Sequence, residues 1–235
     1  MRQHIFCTED EKFVLRDWGG YLCFLGTEAT VGSKSFGVTA VVRMEQLIHD
    51  PHVHEDSDEI FYVLSGRGRQ LLRCADGRDV NYDIGPGDTV YLTKNRWHGT
   101  SNFSAEKKLD MLLINYYYNG QSDPHIMGVV PAGSIVPTET AYGTSALVIS
   151  EETCGVGGIA GEVLTLLPGN CLKSTVKGDE AFLFSLSHDL YIHINDAPQA
   201  EPLPRHAQAF FFRGEHYCVE NRTSEPAQLF YLHTR

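Results

Sequence analysis

The chain nowhere sustains a long amphipathic helical pattern. Its apolar residues fall instead in short runs rich in Val, Ile, Tyr, Phe and Leu: YLCFLG (Tyr21–Gly26), FGVTAVVRM (Phe36–Met44), EIFYVLSG, DTVYLT and LDMLLINYYY. Between the runs stand DWGG, ADGRD, IGPGD and YYNGQSD, which put Gly or Asn where a turn needs positive φ. Short strands at regular spacing, joined by turn chemistry, predict an all-β sandwich or barrel. After residue 143 the texture resumes with ALVIS, GEVLTLLPGN, EAFLFSLS, LYIHIN, QAFFFRG and AQLFYLH.

At 235 residues there is room for one sizeable β-domain or two small ones. MGVVPAGSIVPTETAYG, residues 127–143, holds three glycines and two prolines with little periodicity and reads as a connection. The expected division is a first barrel at 1–126, a linker at 127–143 and a second barrel at 144–235. Laying DEIFYVLSG over DEAFLFSLS puts Glu59 on Glu180 at a shift of 121 residues; laying DTVYLTKNRWHGTSN roughly over QAFFFRGEHYCVEN puts Asn102 against Asn221, at a shift of 119. A duplicated β-barrel is the economical reading.

A formal charge of −11, without a basic cluster interleaved with aromatics, argues against nucleic acid as a partner. No apolar run approaches membrane-spanning length, and the opening MRQHIFCTEDEKF lacks the apolar core of a signal peptide. The six cysteines are scattered without a CxxC pair. Reduced, mostly buried thiols in a cytoplasmic protein are expected.

The segment DPHVHEDSDEIFYVLSGRG (Asp50–Gly68) carries the chemistry. His52 and His54 are two residues apart, so in extended chain both imidazoles point the same way. With Glu59 inward, Phe61, Val63 and Ser65 share its side, while Ile60, Tyr62 and Leu64 take the other. Both faces are then apolar. One reading is an ordinary surface or hydrogen-bonded histidine pair. The other is a metal-ligand set, because a buried carboxylate beside two imidazoles is costly unless paired or bound to a cation.

His52, His54, Glu59 and Gly66 at their spacing resemble the first motif of the cupins, and Gly87, Asp88, His98 and Asn102 resemble the second. Gln46 stands where the family usually has glycine, and TKNR replaces its proline and glycine; these are turn positions. The resemblance implies a bicupin of two jelly-roll β-barrels, with one divalent metal per chain held by His52, His54, Glu59 and His98. In the second half, the shift of 121 sets Lys173 and Thr175 against the two histidines; only Glu180 survives, with Lys173 as a possible ion-pair partner. That barrel is expected to be degenerate. Mn, Fe or Ni would suit six-coordinate chemistry, and Zn would also bind such ligands.

The resemblance therefore implies a metal-dependent enzyme for a small polar substrate, carboxylate or sugar-like, working by isomerase, lyase or decarboxylase, or dioxygenase chemistry. The alternative is a non-catalytic module in which the metal anchors a ligand. Arg43 and Arg96 are candidates for capturing a substrate carboxylate, and Tyr116, in INYYYNG, for lining the mouth. No catalytic acid or base stands out. The apolar outer face of Ile60, Tyr62 and Leu64 suggests a homodimer.

Overall fold

The computed structural model describes residues 4–7, 13–74, 76–117, 128–195 and 197–235. Two compact units emerge. One comprises Glu11–Ser134 with Cys154–Val156; the other comprises Met1–Asp10, Ile135–Thr153 and Gly157–Arg235. The described residues are almost entirely strand and loop, with four-residue helices at Glu28–Val31 and Glu151–Cys154. No helix among them is long and apolar enough to cross a membrane. The fold is all-β, built as two cupin-type jelly-roll barrels.

In the first unit, a seven-stranded antiparallel sheet runs in the order Gly128–Val130, Thr89–Leu92, Asp58–Ser65, Leu109–Tyr116, Phe36–Met44, Tyr21–Thr27 and Val14–Leu15. A four-stranded sheet, Leu47–Ile48, His98–Asn102, Gly68–Arg73 and Asp79–Ile84, faces it. Phe61, Val63, Leu109 and Met111 of the larger sheet share one buried cluster with Leu72 and Ile84 of the smaller. Period-two alternation places Phe61 and Val63 inward beside Glu59, as their sequence pattern predicts. The opposite face is also covered within the chain: Ile60 is 0% exposed and Tyr62 8%. It is not the exposed patch on which a homodimer was inferred.

The second unit repeats this order strand for strand. Its larger sheet runs Ile5–Cys7, Ala207–Phe212, Glu180–Ser185, Ala227–Thr234, Ile159–Leu166, Gly143–Ile149 and Thr138–Thr140. Its smaller sheet is Cys171–Thr175, His216–Glu220, Leu190–Ile194 and Glu201–Leu203. Two features differ from the sequence-based division. Residues 5–7 pair with Ala207–Phe212 and so join the second unit. The stretch read as a linker supplies an edge strand to each unit, Gly128–Val130 and Thr138–Thr140. Short strands flanked by Gly and Pro survive there because an edge leaves one side of the backbone unpaired. Met127 and the turn in YYNGQSD lie outside the described residues. Cys23 and Cys154 are buried, while Cys74, Cys171 and Cys218 are partly exposed, and none of the five is in a disulfide.

Two motif glycines have a conformational reason to be there. Gly66 has φ +81°, and a Cβ at that position would sit 2.1 Å from the Lys108 carbonyl oxygen. Gly87 has φ +88° in the turn before Thr89–Leu92. Both need a residue free of the L-side-chain penalty.

The repeat is most visible at two buried asparagines. Asn102 donates through Nδ2 to the Met44 and Lys107 carbonyls and accepts from the Ser104 amide. Asn221 likewise donates to the Leu166 and Glu225 carbonyls and accepts from the Thr223 amide. Each asparagine fastens the return loop of its barrel. Replacing Asn102 by Ala leaves the buried Met44 carbonyl, the partly buried Lys107 carbonyl and the Ser104 amide without this partner, and should cost about 2 kcal/mol. Denaturant unfolding of Asn102→Ala and Asn221→Ala would check this; an Asn102→Ala midpoint equal to wild type would show that water replaces the clamp.

Candidate metal centre

His52 and His98 face each other in an isolated antiparallel bridge, with His52 N donating to His98 O at 2.9 Å and the reverse bond at 3.0 Å. His54 follows two residues later. Its carbonyl accepts from the Asn95 amide at 2.6 Å, and Asn95 takes φ +62°, a conformation Asn tolerates in the TKNR turn. Glu59 enters from the neighbouring sheet, between Leu92 and Asn115. Asp58, one residue earlier and buried, accepts from the Tyr91 hydroxyl at 2.5 Å and the Lys94 amide at 2.8 Å. Asp58 thus ties the start of the Glu59 strand to the loop that leads into His98.

The ligand atoms of His52, His54, Glu59 and His98 all lie within 4.8 Å of one another. The second nitrogens fix the tautomers. His52 Nδ1 is 3.0 Å from the Asp50 carbonyl and His98 Nδ1 is 2.9 Å from the Arg96 carbonyl, so each Nδ1 donates and each Nε2 turns a lone pair into the cluster. His52 Nε2 and His54 Nε2 approach to 3.2 Å. Two such atoms at that separation require a proton or cation to share. Glu59 Oε1 is 3.3 Å from His54 Nε2, and Oε2 is 3.1 Å from His98 Nε2. That His98 nitrogen is buried and makes no aligned hydrogen bond. The donor set therefore fits a divalent cation.

Burial pushes the Glu59 carboxyl up, but its contact with His98 and the nearby His54 and His52 outweigh burial and hold it below the ordinary range. His52 is lowered chiefly by burial. His49 is lowered to about 4 by burial first and His52 second. At neutral pH, then, the Glu59 carboxylate is charged and the His52 imidazole neutral, the protonation states in which they ligate, and the neighbouring His49 is neutral as well.

A cavity of about 300 Å³ opens beside the four groups, and its other walls are mostly apolar, including Val42, Phe61, Met111 and Leu113. Its further polar lining comes from residues that sequence alone did not single out. His49 stacks between Trp18 and His52 at centroid distances of 4.3 Å to each. Thr100 and Asn115 also line it, held by Gln70 and Ser57 respectively. The substrate candidates lie elsewhere. Val42 and Met44 face inward, so alternation turns Arg43 outward, where it makes a two-pronged pair with Asp110 at 2.8 and 3.0 Å. Arg96 does not line the cavity; its carbonyl serves the site, through His98. Tyr116 is buried against Phe36 on the face opposite Asn115.

In the second barrel the strand register corrects the repeat by one residue. Glu59 pairs with Leu92, and the matching pair is Ala181 with Phe211, not Glu180. Ala181, Leu183 and Phe211 belong to the interior cluster, so a one-residue slip turns Glu180 to the other face. By the same pairings His52 corresponds to Ser174, His54 to Val176 and His98 to Tyr217. Lys173 is exposed and Glu180 buried. All four ligand positions are lost.

Residues 41–115 match the family described as Cupin domain, a span that includes all four clustered residues. The first barrel is a cupin domain. Among solved structures, the whole chain is similar to the Lactobacillus farciminis oxalate decarboxylase formate complex, at 12% identity and TM-score 0.80 over 100% of this chain and 87% of that one. Bacillus subtilis oxalate decarboxylase, in a structure whose title describes Mn(II) centres, is similar at 15% identity and TM-score 0.77 over 99% of this chain and 77% of that one. At these identities the likeness is one of fold. Comparison with curated proteins returned no match.

Proposed function

We propose that the cupin domain is the site of a metal-dependent enzyme acting on a small molecule with a chelating oxygen end, a carboxylate or a sugar-like carbonyl and hydroxyl. The observation that carries this reading is the convergence of three imidazole nitrogens and one carboxylate at the wall of an otherwise apolar cavity. His52, His54, Glu59 and His98 would hold one divalent ion; Mn, Fe and Ni retain positions for substrate oxygens beyond four protein ligands, and Zn is the less suited choice. Bound there, the ion would supply Lewis-acid polarisation of a substrate carbonyl or carboxylate.

The chain's own residues then define the rest. Val42, Phe61, Met111 and Leu113 exclude water and accept an apolar substrate body. Asn115 and Thr100 offer polar contacts at the wall. His49 stands where its imidazole can exchange a proton with a cavity-bound molecule. Among the described residues no Arg or Lys lines this cavity, which favours a monoanion or neutral chelator over a small dianion. Isomerisation, decarboxylation or other lysis, and dioxygenase chemistry all start from such a chelate. A single-chain enzyme and a homodimer are both compatible with this site.

The test is to strip the protein, reload it with Mn, Fe, Ni or Zn in turn, measure metal per chain, and screen carboxylates and hydroxycarbonyl compounds for turnover. We expect about one ion per chain and turnover in at least one reloaded form. Saturable ligand binding in every metal form with no turnover in any would favour the binding module instead.

A further inference from the structure

The second barrel has lost the ligand set, yet its interior is not filled with apolar side chains. A cavity of about 480 Å³ remains there, larger than the one beside the candidate metal centre. Bridging by a single water needs only about 10–15 Å³. The polar groups have moved to the opposite wall. In the corresponding strand pairs, Ala40 against Leu113 becomes Glu162 against Tyr231, and Asn115 against Glu59 becomes His233 against Ala181. Two of the vacated ligand positions carry hydroxyls, Ser174 and Tyr217.

These groups form one connected set. The Tyr217 hydroxyl donates to that of Tyr231 at 2.9 Å, and Ser174 lines the cavity beside both tyrosines. Tyr231, accepting from Tyr217, retains an O–H to donate. Its ring stacks on His233 with centroids 5.0 Å apart. His233 Nε2 lies 3.5 Å from Glu162, whose carboxylate also accepts from the Ser145 hydroxyl. Burial pushes Glu162 up, but His233 and Ser145 outweigh it and keep the carboxylate charged at neutral pH. Placing this many polar groups around an interior cavity costs stability unless they are satisfied, and a hydroxyl-rich guest can satisfy them.

We propose that the second barrel is a metal-independent binding site for a hydroxyl-rich molecule of monosaccharide or polyol size. Glu162 accepts from guest hydroxyls, Tyr231 and Ser174 exchange hydrogen bonds with them, and the stacked Tyr231–His233 pair offers a flat face to a ring. Lys177 and Arg235 also line the cavity, so the Glu162 carboxylate does not face a guest alone; the hydroxyl set of Ser174, Tyr217 and Tyr231 is what matches a polyol.

The experiment uses the full chain carrying His52→Ala and His98→Ala, so that the first site does not contribute, with myo-inositol, D-glucose, acetate and malonate as probes. Titration by calorimetry and by NMR should show saturable binding of at least one polyol without added metal. Tyr231→Phe or Glu162→Gln should weaken it at least tenfold. Ser174→Ala provides a third, smaller change should either variant fold poorly, and NMR contacts from the polyol to tyrosine side chains report the site without substitution. Absence of saturable polyol binding, binding unmoved in all well-folded variants, or preference for acetate or malonate would overturn the proposal.

Discussion

Replacing His52 and His98 together by Ala should reduce bound metal from about one ion per chain to below about a tenth. The two residues are partners in one backbone bridge, and each Nε2 points into the cluster. Elemental analysis after equilibration with Mn or Fe measures the effect directly. A ligand at 100 times its dissociation constant stabilises the folded state by about 2.7 kcal/mol, so the metal-dependent rise in melting temperature should vanish in the double variant. In chelator the variant should remain folded, because the change also removes the 3.2 Å approach of His52 Nε2 to His54 Nε2. Undiminished metal in the double variant would sink the site. Two ions per wild-type chain would sink the assignment of Ser174, Val176, Ala181 and Tyr217 as a non-ligating set.

The second large effect is expected at Asp58, which is buried beside the ligand Glu59 in the chain. Its carboxylate accepts from the buried Tyr91 hydroxyl and the Lys94 amide, and burial and Asp58 together push the Tyr91 hydroxyl pKa upward. Asp58→Ala leaves both donors without this acceptor and should cost about 3 kcal/mol. It should also weaken metal binding by about 10–100-fold, the usual scale for groups that support ligands from behind. The carboxylate holds the start of the Glu59 strand against the loop before His98, so its loss loosens two ligands at once. Asp58→Asn retains an acceptor for Tyr91 and should recover part of both effects. Calorimetric unfolding and metal titration read them separately; lost stability with unchanged metal affinity would show that the strand start is held by other contacts.

The all-β class was legible because strand runs and turn residues alternate along the whole chain, and the inward side of Asp58–Ser65 followed from its period of two. The cluster was legible because His52, His54 and Glu59 lie close in sequence and the resemblance supplied His98. What eluded the sequence were quantities set by register. Tyr116 and Asn115 are adjacent, and only the pairing of Asn115 with Glu59 decides which faces the cavity. The repeat was misread by one residue because both halves carry a Glu at the start of the strand, although the one in the second half faces away from the barrel interior. Arg43 attracted attention as a cation, but Asp110 lies across the strand pair to neutralise it.

The pairing of residues 5–7 with Ala207–Phe212 carries a consequence for biosynthesis. The second unit is interrupted in sequence: its outermost strand is made before the first unit, and the strand it covers comes some 200 residues later. On a ribosome, the first barrel can close while that early segment waits for its partner. A fragment beginning at residue 135 would therefore emerge with the Ala207–Phe212 edge bare, a ready template for pairing with another chain. Splicing residues 1–10 onto the end of such a fragment, through a linker long enough to reach the edge, would restore the cover. The two barrels can be separated on paper at residue 134, but the chain must be rewired before they can be separated in a test tube.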